Sequence, residues 1–355
     1  MMINRVLTII VLLLLISCSK EQGVEQTQFV LNVEVEQTAP EAKTVLTGNQ
    51  FASGGTIGLF VYYGQDGVYP HTSLTLYNDS YKNIKATRET AASIASNWRY
   101  KFNGAESEFY NFYFINPSLD ALGKGLTIYA YAPFITGVES IESIPFTLGG
   151  NENALVDLMY ARQNMEDTNA CLLPEGATQD VTLTFRHSLA LLNFRMKCRY
   201  APTTMTVDAI TLQKTNNSDG DSPLYVSGKY NALRNEFYEL QQGQVKTNYH
   251  YGTTTNEFDS TKYTDYLFPI VPSLSGKPYV DGSYEVVFTL NGHTLEYRYK
   301  IRAEDLLPTG GTDSPVFEAG KTYTFNFIVD NYIHLDGVSV YDTWSEDAES
   351  IEIKF

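Results

Sequence analysis

The sequence predicts an all-β protein organised as β-sandwiches. Three observations carry this expectation. The chain holds 26 tyrosines and 19 phenylalanines among many threonines and valines, the residue types that fit a pleated, half-buried surface. Apolar and polar residues alternate over several segments, the period of a strand with one buried face. Helical signals are sparse, the best being residues 88–98 (RETAASIASNW). Strands spaced by turn residues at short intervals are the pattern of sandwiches.

The first 17 residues stand outside that fold. A short basic start ends at Arg5, and an apolar run over 6–17 leads into Cys18 and turns polar at once. The run is shorter than the roughly 20 residues that span a bilayer and has the shape of a secretory signal. Leu15-Ile16-Ser17-Cys18 looks like a bacterial lipobox. Cleavage before Cys18 and acylation of its new terminus would anchor the chain in a membrane, each buried CH2 contributing about 0.8 kcal/mol. Residues 1–17 are therefore expected to be a signal peptide and 18–27 a lipidated tether.

The first strand is expected at 29–35, where Phe29, Leu31, Val33 and Val35 alternate with polar residues. Residues 38–44 (TAPEAKT) follow as an exposed loop with one basic residue, Lys43. Further strands are expected at 56–63 (TIGLFVYY) and 126–134 (LTIYAYAPF). A turn-rich stretch, 168–180, closes an N-terminal unit over 28–180 and opens a C-terminal one over 181–355. In that second half Leu192, Phe194, Met196 and Cys198 alternate with Asn193, Arg195, Lys197 and Arg199. Tyr284, Val286, Phe288 and Leu290 lead into Asn291-Gly292, with Leu295, Tyr297, Tyr299 and Ile301 beyond, a strong hairpin signal. At the C-terminus Ile351, Ile353 and Phe355 share one face of a last strand, as do Val338 and Val340 before it.

The chemistry-bearing residues are few. A formal charge of −16 with no basic stretch argues against nucleic acid. Cys171 and Cys198 could pair in an oxidising compartment or remain two buried thiols. None of His71, His187, His250, His293 and His334 has the i, i+4 spacing of a zinc helix, and His187, inside TFRHSLALL, reads as a packed core residue. Residues 217–221 (NSDGD) begin like a calcium loop, but Ser222 and Gly228 stand where glycine and a bidentate acid are needed, so no metal is expected. Residues 109–114 (FYNFYF) could stack sugars, though such density more often fills a core. No nucleophile elbow, phosphate loop or dinucleotide fingerprint appears. The sequence asks for neither an enzyme nor a cofactor.

Five segments carry a family resemblance. Thr56-Ile57-Gly58-Leu59-Phe60-Val61-Tyr62 is similar to the early strand of fimbrillin-like lipoproteins. Ala130-Tyr131-Ala132-Pro133-Phe134 resembles a second motif of theirs, Asp157-Leu158-Met159-Tyr160-Ala161 a third and Phe185-Arg186-His187-Ser188-Leu189-Ala190 a fourth. Gly320-Lys321-Thr322-Tyr323 is like a late strand. The order agrees, and the lipobox precedes them all. Together they resemble the fimbrillins of anaerobic Gram-negative bacteria.

That resemblance implies two transthyretin-like β-sandwich domains in tandem and a structural place in a fimbria on the outer membrane. It also implies assembly by strand exchange: a protease cuts after a basic residue beyond the first strand, and a strand of another subunit fills the groove left behind. On this chain the cut falls at Lys43, whereas the best-known fimbrillins are cut after arginine. Arg88 is a second basic candidate, but a cut there would remove residues 56–63 as well. Phe29, Leu31, Val33 and Val35 would form the replaceable strand, and Ile351, Ile353 and Phe355 the donor. Four or five such side chains contribute on the order of 8–10 kcal/mol before ordering costs. The expected partners are other fimbrial subunits, the outer membrane through the lipid anchor, a processing protease and a host or bacterial surface ligand. The alternatives are a lipid-anchored glycan-binding protein and a fimbrial tip adhesin.

Overall fold

The computed structural model describes residues 26–35, 46–47, 50–51, 54–63, 75–76, 79–89, 98–107, 112–115, 126–148, 157–162, 179–199, 207–215, 222–243, 247–248, 260, 263–274, 277–290, 295–307, 314–330, 332–341 and 351–353. These residues form an all-β fold. Among them there is no α-helix, and two short helical turns, Asp79–Tyr81 and Ala303–Leu306, are of the 3-10 type.

In chain order the first strands are β1 (Gln26–Val35), β2 (Leu46–Thr47), β3 (Gln50–Phe51), β4 (Thr56–Tyr63), β5 (Thr75–Leu76), β6 (Ile84–Arg88), β7 (Trp98–Lys101), β8 (Phe112–Ile115), β9 (Leu126–Ala132), β10 (Ile144–Thr147), β11 (Met159–Arg162) and β12 (Gln179–His187). There follow β13 (Ala190–Cys198), β14 (Val207–Lys214), β15 (Tyr225–Asn231), β16 (Glu236–Gln242), β17 (Thr247–Asn248), β18 (Thr264–Ile270), β19 (Tyr284–Leu290), β20 (Leu295–Lys300), β21 (Thr322–Val329), β22 (Ile333–Tyr341) and β23 (Ile351–Ile353).

One sheet runs β7-β6-β4-β9-β11-β12-β1-β8, with β5 paired to β4. Its middle strands are covered on both faces. Ile57, Leu59 and Val61 of β4 enter one core with Ile128, Ala130 and Ala132 of β9. The alternate residues Phe60, Tyr62, Tyr129 and Tyr131 enter a second core. Burial on both faces explains why TIGLFVYY and LTIYAYA are nearly continuous apolar runs rather than alternating ones. The sheet curls on itself around Phe51, whose ring meets Phe185 of β12 at 5.1 Å and Trp98 of β7 at 5.7 Å, both edge-on.

Residues 88–98 are not framed by a helix. Arg88 ends β6 and Trp98 begins β7, directly opposite each other in an antiparallel register, while 90–97 lie outside the described residues. Ala86, Trp98 and Tyr100 are buried in the first core.

A second pair of sheets follows. β18-β13-β21-β22-β23 faces β17-β14-β19-β20. Phe194, Phe325 and Phe327 from the one meet Phe288 and Tyr299 from the other, the Phe288–Phe327 rings lying 4.9 Å apart. The expected alternation of β13 is observed, with Leu192, Phe194, Met196 and Cys198 buried. The expected hairpin is too: β19 and β20 pair antiparallel from Glu285↔Lys300 to Leu290↔Leu295.

A small three-stranded sheet ties the halves together. β10 pairs antiparallel with β15, Ile144 opposite Tyr230 and Phe146 opposite Gly228, and β15 pairs onward with β16. The Leu148 amide adds a bond to the Val226 carbonyl at 2.6 Å and the Ala232 amide one to Ile141 at 3.0 Å. Through this sheet the second core runs without a break from Phe60 and Tyr131 to Phe325 and Val338.

Candidate functional site

The residues singled out by the sequence belong to two outlying strands. β1 is not an edge. It lies between β12, which it meets in parallel from Phe29↔Gln179 to Val35↔Phe185, and β8, which it meets antiparallel from Gln26↔Ile115 to Phe29↔Phe112. The register sets Val33 beside Leu183 and Val35 beside Phe185, and both of those β12 residues are fully buried in the first core. Withdrawing β1 would therefore open a slot with one ladder on each side.

The chain re-enters the body of the fold soon after β1. β2 and β3 form a short antiparallel hairpin ending at Phe51, which is 2% exposed. The half-buried Arg88 guanidinium donates to the Phe51 carbonyl, and desolvation lowers its pKa. The Arg88 backbone is engaged as well, its amide with Gly55 O and its carbonyl with Gly54 N, each at 2.9 Å. Arg88 is thus held in a paired strand.

At the other end, β23 lies on the outer side of β22, with Val340↔Ile351, Ser339↔Glu352 and Val338↔Ile353. Val338 and Val340 are buried. Of the expected site residues, Phe29, Leu31, Val33 and Val35 are in β1 and Ile351 and Ile353 in β23. The two groups belong to different sheets. Cys18, Lys43 and Phe355 lie outside the described residues, as do Cys171, His71, His250, His293 and 217–221. Within FYNFYF, only the backbone of residues 112–114 is described, in β8. Among the described residues no group of three or more His, Cys, Asp or Glu could hold a metal ion.

One arrangement was not expected: the five resembling segments meet at a single place. Gly58 stands opposite Tyr131, Met159 opposite both Ala132 and His187, and the Gly320 amide donates to Leu189 O at 2.9 Å. A polar chain runs through this junction. His187 Nδ1 is 2.8 Å from Asp157 Oδ1, both residues being buried. The next residue, Ser188, donates from its hydroxyl to Tyr230 at 2.7 Å, and the Tyr230 hydroxyl donates to Asn235 Oδ1 at 3.0 Å. Burial pushes the Tyr230 phenol well up, so it stays a neutral donor. The expectation that His187 is a packed, hydrogen-bonded core residue is met. The sequence signal for its partner was an acid, Asp157, leading an otherwise apolar segment.

Tyr131 completes the junction. Its ring lies across Gly58, where an added Cβ would come 2.2 Å from Cε1. Its hydroxyl is 2.8 Å from Asn83 Oδ1 and 3.0 Å from Ile135 O, and accepts from the Ile135 amide at 3.1 Å. Cross-strand packing of an aromatic over glycine explains why the early motif carries Gly58 in the middle of a strand.

The fold is thus an all-β sandwich protein with its first strand held inside a sheet and its last strand added to the edge of another. The chain belongs to the fimbrillin-like family, whose model matches residues 43–344. Among solved structures it is similar to a protein assigned to cell adhesion from Bacteroides ovatus, with 13% identity, 89% of this chain and 97% of that one covered, and a TM-score of 0.51. It is also similar to a fimbrial protein from Bacteroides vulgatus, with 14% identity, 89% and 99% coverage and a TM-score of 0.50. No curated protein matches the sequence.

Proposed function

We propose that the protein is a structural or accessory subunit of a cell-surface fimbria, exported as a lipoprotein on Cys18 and assembled by protease-triggered strand exchange. Membership of the fimbrillin-like family supports the fimbrial role. The observation that carries the assembly step is the interior position of β1, paired on both sides. Lys43 falls between the end of β1 at Val35 and the start of β2 at Leu46. A cut there would detach β1 from β12 and β8 while Phe51 kept its ring contacts with Trp98 and Phe185. The emptied slot would then offer two ladders and the buried residues Leu183 and Phe185 to an incoming strand. The proposed donor is the segment containing Ile351, Ile353 and Phe355, which need only leave an edge of its own sheet. Two sandwich units, over 28–180 and 181–355, are part of this reading. The partners are other fimbrial subunits, and the location is the outer membrane surface.

The experiment is digestion of the purified protein with a lysine-specific protease, read on a gel run without boiling. Ladders should appear, and deletion of residues 349–355 should abolish them. Ladders that persist after that deletion would place the donor elsewhere. A product cut at Lys43 that stays monomeric would favour an anchor or accessory subunit that keeps its own β1. Protein from cells fed labelled palmitate should carry label that Cys18→Ala removes.

The competing glycan-binding reading calls for an exposed aromatic platform. Among the described residues Tyr332 is the only exposed aromatic. Most of the large rings among the described residues are buried in the cores, and Phe102 and Phe134 are half-buried at an open cleft.

A further inference from the structure

The face of β6 and β7 turned away from the first core carries an electrostatic arrangement that the fold does not need. Lys85 and Lys101 are directly opposite in register on adjacent strands, and like charges so placed are destabilising. Neither has an ion-pair partner among the described residues, in a chain with 41 acidic and 25 basic residues. A third cation, Lys82, sits at the same place and is held at 2.6 Å by Glu139, itself largely exposed. The three lysines line one open cleft of about 390 Å³ together with Phe102 and Phe134. Lys85 Nζ is 5.9 Å from the centre of the Phe134 ring, within cation–π range. Gly104 and Gly137, both with positive φ, turn the chain at its wall, and nothing lies within 4 Å of where their Cβ atoms would be. The backbone there is open to approach.

We infer that this cleft binds a small anionic saccharide, a sugar acid whose carboxylate sits between Lys85 and Lys101 and whose apolar ring face lies against Phe134. Glu139 also lines the cleft, but it is engaged by Lys82, which leaves Lys85 and Lys101 to draw a ligand of negative sign. The pairing of cations with an aromatic surface matches a ligand that has both a carboxylate and a C–H face. The volume is near the lower end of small-molecule sites, room for a mono- or disaccharide rather than an extended acidic peptide. A ligand carboxylate would also relieve the repulsion between the two lysines. The cleft is separate from the β1 slot, so this inference stands whether or not the subunit polymerises.

The test is calorimetric titration of the full-length protein with digalacturonate, neutral digalactose and hexaglutamate at low salt. Digalacturonate should bind, with added salt weakening it. The double change Lys85→Gln with Lys101→Gln should weaken it by at least about tenfold, and the neutral sugar should bind at least about tenfold more weakly than the acid. The double variant should melt no lower than the parent, because it loses a repulsion. Equal binding of the neutral sugar, or binding unaffected by the double change, would overturn the inference. Tighter binding of hexaglutamate would make this an acidic-peptide site instead. A clearly lowered melting temperature would make the lysines structural.

Discussion

Gly58→Ala is the smallest change that should unsettle the junction between the halves. The new methyl would lie 2.2 Å from Tyr131 Cε1 and 2.5 Å from Cζ, far inside van der Waals contact. Tyr131 is fully buried, and its hydroxyl is fixed by Asn83 and Ile135, so the ring cannot step aside freely. Forcing a methyl into filled space costs about 1–3 kcal/mol. Moving the ring adds the loss of one donated hydrogen bond, shared between Asn83 Oδ1 and Ile135 O, and one accepted bond, at about 1 kcal/mol each. Replacing glycine within a strand returns up to about 1 kcal/mol. The balance is a loss of about 2–4 kcal/mol, or roughly 3–5 °C in melting temperature for a chain of this size. Differential scanning calorimetry measures it. The decisive control is the same change in a Tyr131→Ala background, where the clash is gone and Gly58→Ala should have almost no effect. An equal cost in both backgrounds, or a Gly58→Ala protein that melts with the parent, would refute the reasoning.

Asp157→Ala should destabilise the fold by about 3 kcal/mol, because it strips a buried partner from His187, and Asp157→Asn should cost less; urea denaturation compares them. The buried phenols predict alkaline unfolding. Burial pushes Tyr62 and Tyr81 up to about 12 from 10.0 and Tyr131, Tyr266 and Tyr284 higher still. A raised folded-state pKa means the fold holds protons that the unfolded chain releases. Stability is therefore intact below pH 10 and falls as pH rises through 10 to 12, by about 1 kcal/mol per unit for each such tyrosine. A cooperative step in tyrosinate absorbance should accordingly coincide with unfolding, and absence of that step, with all phenols ionising while the protein stays folded, would contradict this.

Local pattern made some of the architecture legible. The β19–β20 hairpin and the alternation of β13 could be read directly, since the largest apolar side chains alternate onto the core face even where Asn193, Glu285 and Val287 are covered on the other. β4 and β9 read as strands without showing their facing, because both of their faces are buried. The parallel pairing of β1 with β12 could not be read, since its partners are about 150 residues apart (Phe29↔Gln179) and no local period records a distant neighbour. The same holds for β10, four residues that reach across to β15. The Asp157–His187 pair was half legible: each residue stood out as polar in an apolar segment, but the separation of 30 residues hid their contact.

The unbroken core from Phe60 to Val338 has a mechanical consequence. Two sandwiches joined by a loose linker would swing against each other, which is the usual behaviour where the contact between units is small and polar. Here any such swing would have to pull β10 off β15, part Ser188 from Tyr230 and wet the tyrosines between them. The body of the subunit should therefore resist bending between its halves. In a fimbria assembled as proposed, bending and tension would fall on the contacts from one subunit to the next, and the strength of an exchanged strand, rather than the body of the subunit, would set how far the filament can be pulled.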